Sequence, residues 1–181
     1  SSNAASLLNF LNSKINLNIN KKEINKIASQ VGFDAPISLQ KKNTIIIGRN
    51  NKILRIKQRF GLNILIVYPN LICSTKKIYN RNKNFSLLSK KNYFSFSNKK
   101  KLIYFLQTEG NDLEKAVTTI YPEVQNIINF IKIQKGCYFS RITGSGSACI
   151  GIFHDMKSAI FTQKLIKLKF PKYWCVVSKT I

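Results

Sequence analysis

Acidic side chains are scarce in this 181-residue chain: seven Asp and Glu stand against thirty Lys and Arg, a formal net charge of +23. With so few acids, one held in a fixed place stands out as a candidate for chemistry. Histidine occurs once, as His154, and cysteine four times, at Cys73, Cys137, Cys149 and Cys175, with no CxxC pair. That is a poor zinc set, and unpaired spacing of this kind suits a reduced, cytoplasmic interior. Long apolar runs are also lacking. Stretches such as Ile64–Tyr68 and Thr44–Ile47 have strand length, far below the roughly 20 residues of a spanning helix. No basic stretch followed by an apolar one opens the chain, so no secretion signal is read there. Methionine occurs once, at Met156, and the chain opens on Ser1. Ser2-Asn3-Ala4 is readable either as a tag scar or as native sequence.

What is present excludes disorder. Apolar residues make up 44% of the chain, with 12 Phe and 7 Tyr, enough for a sizeable core. The length suits one domain, or one and a fraction, at about 100–200 residues each. The positive charge has two readings. One is a nucleic-acid or anionic surface. The other, which we favour, is compositional: Lys outnumbers Arg 25 to 5, alongside 26 Ile and 20 Asn. Base and phosphate readout favours the Arg fork, whereas Lys, Asn and Ile share A/T-rich codons. Non-specific attraction of polyanions is expected either way.

The periodicity predicts helices over residues 1–12 and 16–30, the second ended by Gly32. Strand-like runs follow at Thr44–Ile47, Ile53–Ile56 and Leu62–Tyr68, with Gly48–Asn51 as a hairpin turn. Residues 74–101 read as a short helix near Thr75–Asn80 and then a variable loop. Its aromatics, among them Phe85, Tyr93, Phe94 and Phe96, lie among basic residues as in a single-strand binder, but no repeat or strand frame organises them. Helical patterns then cover Leu102–Gln107, Asp112–Ile120 and Val124–Ile133. Strands at Tyr138–Ile142 and Ala148–Phe153 flank a glycine-rich turn, Thr143–Ser147. A helix over Met156–Leu168 and a strand over Tyr173–Ser178 close the chain. Mixed helices and antiparallel strands make the class α+β.

Asp34 sits in a loop between Phe33 and Pro36. It either orients a nucleophile or accepts a hydroxyl proton, or it serves as an Asx-turn or N-cap. Gly144-Ser145-Gly146-Ser147 offers backbone amides and hydroxyls to an anion, or is simply a tight turn. Ser1, Ser2 and Asn3 at a helix start suit a phosphate or ordinary capping. Asp112 and Glu114 suit the positive end of a helix dipole, the structural role we assign them. His154, with no partner motif, reads as a surface residue.

In order, these pieces resemble a known family. Ser1-Ser2-Asn3-Ala4-Ala5 resembles the end of a phosphate-loop motif, P-x-x-x-G-L-G-G-G-S-S-(N/D)-A-A. Val31-Gly32-Phe33-Asp34-Ala35-Pro36 resembles a G-A-D-V-P segment carrying a catalytic Asp, with Phe33 in place of a small Ala. Tyr68-Pro69, Ser74-Thr75 and Tyr79 resemble P-x-x-x-V-S-T-x-x-x-(Y/F). Asn111-Asp112-Leu113-Glu114 with Tyr121-Pro122 resembles N-D-L-E…P, and Arg141–Ser147 resembles R-M-T-G-S-G-(S/P). The family that carries all five in this order is the 4-diphosphocytidyl-2-C-methyl-D-erythritol kinases, of the GHMP kinase superfamily. On this resemblance Ser1–Ala5 is native sequence.

The resemblance implies a GHMP kinase fold, α+β. Residues 1–60 would be the remainder of an N-terminally truncated nucleotide-binding domain, and residues 61–181 a ferredoxin-like C-terminal domain. It implies ATP-dependent phosphorylation of the 2-hydroxyl of 4-diphosphocytidyl-2-C-methyl-D-erythritol, a step of isoprenoid-precursor synthesis. Asp34 would be catalytic. Ser1 and Ser2 would touch ATP, with Mg²⁺ carried by the nucleotide near Ser2 and no protein metal site. Gly144, Ser145, Gly146 and Ser147 would close the site, and Thr75 would lie near the substrate. The family's catalytic lysine, phosphate-loop glycines and cytosine-holding residues would precede Ser1, so the chain alone is expected not to turn over, and self-association through the truncated domain is expected. The alternatives are an inactive fragment or remnant, and a basic nucleic-acid-binding module.

Overall fold

The computed structural model describes residues 2–15, 17–32, 34–40, 42–47, 52–56, 58–86 and 96–180. The chain divides into two compact units, one ending at Arg59 and one running from Phe60 to Thr180.

The first unit holds α1 (Ser2–Lys14), α2 (Lys21–Val31), α3 (Ala35–Ser38), β1 (Asn43–Ile47) and β2 (Lys52–Ile56). The second helix starts five residues later than the periodicity predicts. Asn20 caps it: its side chain accepts from Lys22 and Glu23 N–H, and the Glu23 carboxylate accepts from Asn20 N–H in return. This reciprocal capping box takes up the free donors of the first turn. Asn12 closes the preceding loop by bonding both the N–H and the carbonyl of Ile19, at 2.9 and 3.2 Å. Asn18 there takes φ +50°, which Asn tolerates. β1 and β2 pair antiparallel from Asn43↔Ile56 to Ile47↔Lys52. The turn expected at Gly48–Asn51 lies outside the described residues. Ala5, Ala28, Ala35 and Pro36 are buried, so the three helices approach closely through small side chains.

The second unit runs β3 (Asn63–Tyr68), α4 (Thr75–Arg81), α5 (Lys99–Thr108), α6 (Glu114–Ile120), α7 (Pro122–Lys132), β4 (Cys137–Ile142), β5 (Cys149–Phe153), α8 (Met156–Lys169) and β6 (Trp174–Lys179). Its sheet has the order β4-β5-β3-β6, and every pair is antiparallel. A β-α-β-β-α-β path in that order is the ferredoxin-like arrangement. β3 alternates buried and half-buried residues, as a strand between two layers must. One sheet face, with Leu65, Val67, Cys149 and Phe153, packs on Val117, Val124, Ile127, Ile131 and Ile166 of the helices. The other, with Ile64, Phe139 and Ile152, is covered by Leu102, Ile103 and Leu106 of α5.

Two expectations need correction here. α5 begins at Lys99 rather than Leu102, because the Asn98 side chain caps it by accepting from Lys101 N–H at 2.9 Å. Asp112 is not in a helical first turn: α6 starts at Glu114, and the Asp112 carboxylate instead accepts from the N–H and hydroxyl of Ser86, each at 2.9 Å. In the basic-aromatic stretch, Phe96 is buried against Phe105 while Phe85 lies exposed on Tyr79. Tyr93 and Phe94 lie outside the described residues.

Candidate functional site

In the first unit the candidate acid is Asp34. It occupies the N-cap position of α3, with Pro36 in the first turn, yet its side chain makes no capping hydrogen bond. The carboxylate is exposed. N-capping, one of the two structural roles open to it from sequence, is therefore not what this side chain does. Its backbone carbonyl takes the N–H and hydroxyl of Ser38, at 3.2 and 3.1 Å.

Arg55, which sequence reasoning passed over, fixes that turn. From β2 its guanidinium donates to the carbonyls of Pro36 and Ile37, at 2.7 and 2.8 Å, and to the Thr44 hydroxyl at 2.7 Å. The fork geometry spans three acceptors on two elements. Burial lowers the Arg55 pKa. The available signal was a charged residue inside the apolar run Ile53–Ile56, in a chain with only 5 Arg. Ser2 is the exposed first residue of α1, and Ser1 lies outside the described residues.

In the second unit, Gly144–Ser147 joins β4 to β5. Gly144 and Gly146 have φ of +57° and +76°, a region that costs L side chains but not glycine. The loop closes through Thr143 N–H to Ala148 O at 2.9 Å and Gly146 N–H to Thr143 O at 3.1 Å. At Gly146 a Cβ would come within 3.0 Å of Val117, so glycine also lets the turn lie against α6. The Ser147 hydroxyl is tied to Leu71 O at 2.5 Å. The Ser145 hydroxyl faces outward and meets Thr75 Oγ1 at 2.9 Å. Thr75 is the first residue of α4, whose cap is Ser74. The structure thus brings together two candidates that stand 70 residues apart in sequence. Beneath them, burial raises the Cys73 thiol pKa and a bond to Ser147 opposes the rise.

The Asn111–Glu114 segment reaches the same turn. Asn111 Nδ2 donates to Gly144 O at 2.9 Å and to Ile142 O at 3.4 Å. The Glu114 carboxylate accepts from Ile142 N–H at 2.9 Å. Arg141 donates to the carbonyls of Leu106 and Glu109 at the end of α5 and lies over the Phe139 ring. Burial lowers its pKa, while Glu114 and Glu109 raise it. His154 is exposed, with Nδ1 2.6 Å from Asp155. Among the described residues no three His, Cys, Asp or Glu side chains cluster as metal ligands, and no helix is long and apolar enough to cross a membrane.

The family model for the C-terminal region of GHMP kinases matches residues 89–171. A solved 4-(cytidine 5'-diphospho)-2C-methyl-D-erythritol kinase superposes on 96% of this chain and 62% of its own, with a TM-score of 0.69 at 17% identity. Homoserine kinase from Cytophaga hutchinsonii covers 94% and 61%, with a TM-score of 0.66 at 11% identity. These two likenesses show the fold. The ferredoxin-like unit and its glycine-rich turn thus sit in a known setting: residues 89–171 match the C-terminal region of GHMP kinases, and the chain has the GHMP kinase fold. Among proteins of that fold, the similarity runs to the 4-diphosphocytidyl-2-C-methyl-D-erythritol kinases. The Pelagibacter ubique enzyme of that name is 36% identical over all of this chain and 63% of its own length. That from Caldanaerobacter subterraneus is 32% identical, again over the whole chain and 63% of the relative. The chain therefore spans a little under two thirds of these curated relatives.

Proposed function

We propose that this chain is part of an ATP-dependent kinase that phosphorylates the 2-hydroxyl of 4-diphosphocytidyl-2-C-methyl-D-erythritol in the cytoplasm, for isoprenoid-precursor synthesis. Residues 1–60 belong to its nucleotide-binding domain and residues 61–181 to its C-terminal domain. The observation that carries the reading is the Gly144–Ser147 turn with the Thr75 and Ser145 hydroxyls 2.9 Å apart at its rim, in a chain of this fold.

Phosphoryl transfer asks the protein for positioning and charge stabilisation more than for covalent chemistry. Asp34, exposed and not spent on capping, orients the substrate hydroxyl and takes its proton. The amides of Gly144–Ser147 stabilise phosphate charge. Thr75 contacts the substrate. Ser1 and Ser2 contact the ATP phosphates. Ser2 offers a hydroxyl oxygen, a hard donor of the kind that would hold Mg²⁺ brought with the nucleotide, and the ion would there supply neutralisation of phosphate charge.

The test is substrate-dependent ADP release by the enzyme that carries these residues. Asp34→Asn should lower kcat by roughly 10²–10⁴, the usual worth of a positioned base, with KM for ATP little changed. Undiminished kcat in that variant overturns the role of Asp34. Turnover only with another alcohol overturns the substrate.

A further inference from the structure

We propose that Asn111 and Glu114 are positioning residues, which hold the Gly144–Ser147 turn in its ligand-binding conformation. The inference rests on the reading above that this turn takes an anionic ligand.

The argument starts from the freedom of the turn. Two residues at positive φ, both glycine, leave the unliganded segment many conformations, and ordering them on binding costs affinity. Something must fix the turn beforehand. Its own backbone supplies two bonds, from Thr143 and Gly146 N–H. From outside, Leu71 and Thr75 hold the Ser147 and Ser145 hydroxyls, and the Asn111–Glu114 segment holds the backbone. Glu114 holds the N–H of Ile142, and Asn111 holds the carbonyls of Ile142 and Gly144. The strand end is thus held at both its N–H and its carbonyl. The Asn111 amide is itself oriented, because its Oδ1 accepts from Leu113 N–H at 3.0 Å. Its NH₂ is thereby turned to the loop.

The consequence concerns which groups remain. Anchoring by Asn111 takes up carbonyls and none of the turn's N–H groups. Among the described residues, no partner takes up the N–H of Gly144 or Ser145. Free donors beside engaged acceptors is the polarity an anion needs. Asp112, between the two anchors, points elsewhere and holds Ser86, so it serves as an internal control.

The experiment uses the full chain, ¹⁵N-labelled and titrated separately with Mg-ATP and with 4-diphosphocytidyl-2-C-methyl-D-erythritol. We expect one of them to shift the amides of Gly144 and Ser145. Asn111→Ala and Glu114→Ala should each weaken that Kd about tenfold, the factor that the loss of one well-placed bond to a charged or amide group makes. Glu114→Gln, which keeps an acceptor for Ile142, should stay within about twofold of wild type by the same arithmetic, and Asp112→Ala should match wild type. Sheet amides of β3 and β5 report folding in every variant. If Asn111→Ala perturbs the sheet, the Glu114→Gln and Glu114→Ala pair decides alone. Equal Kd for that pair overturns the proposal while leaving the anion-binding reading intact. Absence of any response in wild type overturns that reading and the proposal with it.

Discussion

At the scale of single residues, most side chains that matter here act on backbone. Arg55 is the clearest case. Its three bonds tie the Asp34 turn to the β1–β2 pair, and one ammonium cannot replace a planar fork that reaches several acceptors. Arg55→Met keeps the apolar stem and removes the donors. It should destabilise the first unit by about 1.5–3 kcal/mol, the range for hydrogen bonds to charged groups, and Arg55→Lys should recover less than half of that. Amide exchange of α3 and β1 with and without the substitution checks this. Unchanged exchange in Arg55→Met would leave the turn held by packing alone. Asn111, Asn20, Asn12 and Asn98 likewise spend their side chains on loops and helix ends. Part of an Asn-rich composition that reads as drift is thus structural, since Asn bonds nearby backbone wherever the regular ladder is interrupted.

At the scale of elements, α7 lies against β5 because a glycine stands between them. A Cβ on Gly151 would come within 2.5 Å of Ile131 Cγ2 and 2.9 Å of the Phe153 ring. Both neighbours are fully buried, so neither can swing aside. Gly151→Ala should therefore cost about 1–3 kcal/mol through overpacking. Combined with Ile131→Ala it should cost less than the sum of the two single changes, because residues in contact are not additive. Chemical denaturation of the single and double variants gives the coupling directly, and strict additivity would mean that α7 shifts freely. The same contact shows a limit of sequence reading. A glycine in the middle of Cys149–Phe153 suggests close approach, but which helix approaches is decided by the crossover from α7 to β4.

At the scale of the whole molecule, the two units differ in what they bury. The second has a sheet with helices on both faces and a core of Leu65, Phe153, Ile127, Ile131 and Ile166. The first buries mainly Ala5, Ile24, Ala28 and Ala35, and leaves Leu7, Phe10, Ile15 and Val31 exposed. Burial scales with apolar area, and unpaired apolar surface favours association. Local opening should follow this difference. Hydrogen exchange should show β3, β4 and β5 protected longest, with α1, α2, β1 and β2 exchanging early. Equal protection of all seven elements in a monodisperse monomer would contradict the reasoning.

The sequence by itself determined the class of fold and nearly every element. Periods of 3.6 and 2 are written in local apolar spacing, and Asp34 and the Gly144–Ser147 turn stand out because glycine, serine and proline mark backbone that departs from regular structure, whereas Thr75 stands out only through the family resemblance. The boundaries at Lys21 and Lys99 do not follow from periodicity, because a polar side chain, Asn20 or Asn98, caps the helix where the apolar pattern gives no signal, and α6 starts only at Glu114 because Asp112 is drawn to Ser86. Tertiary structure alone decided what those motifs touch. It put Ser145 beside Thr75, moved Asp112 from a helix dipole to Ser86, and turned Asn111 and Glu114 onto a strand end about thirty residues away in sequence. The physical reason is that a side-chain hydrogen bond depends on where the chain returns in space, which no local spacing contains.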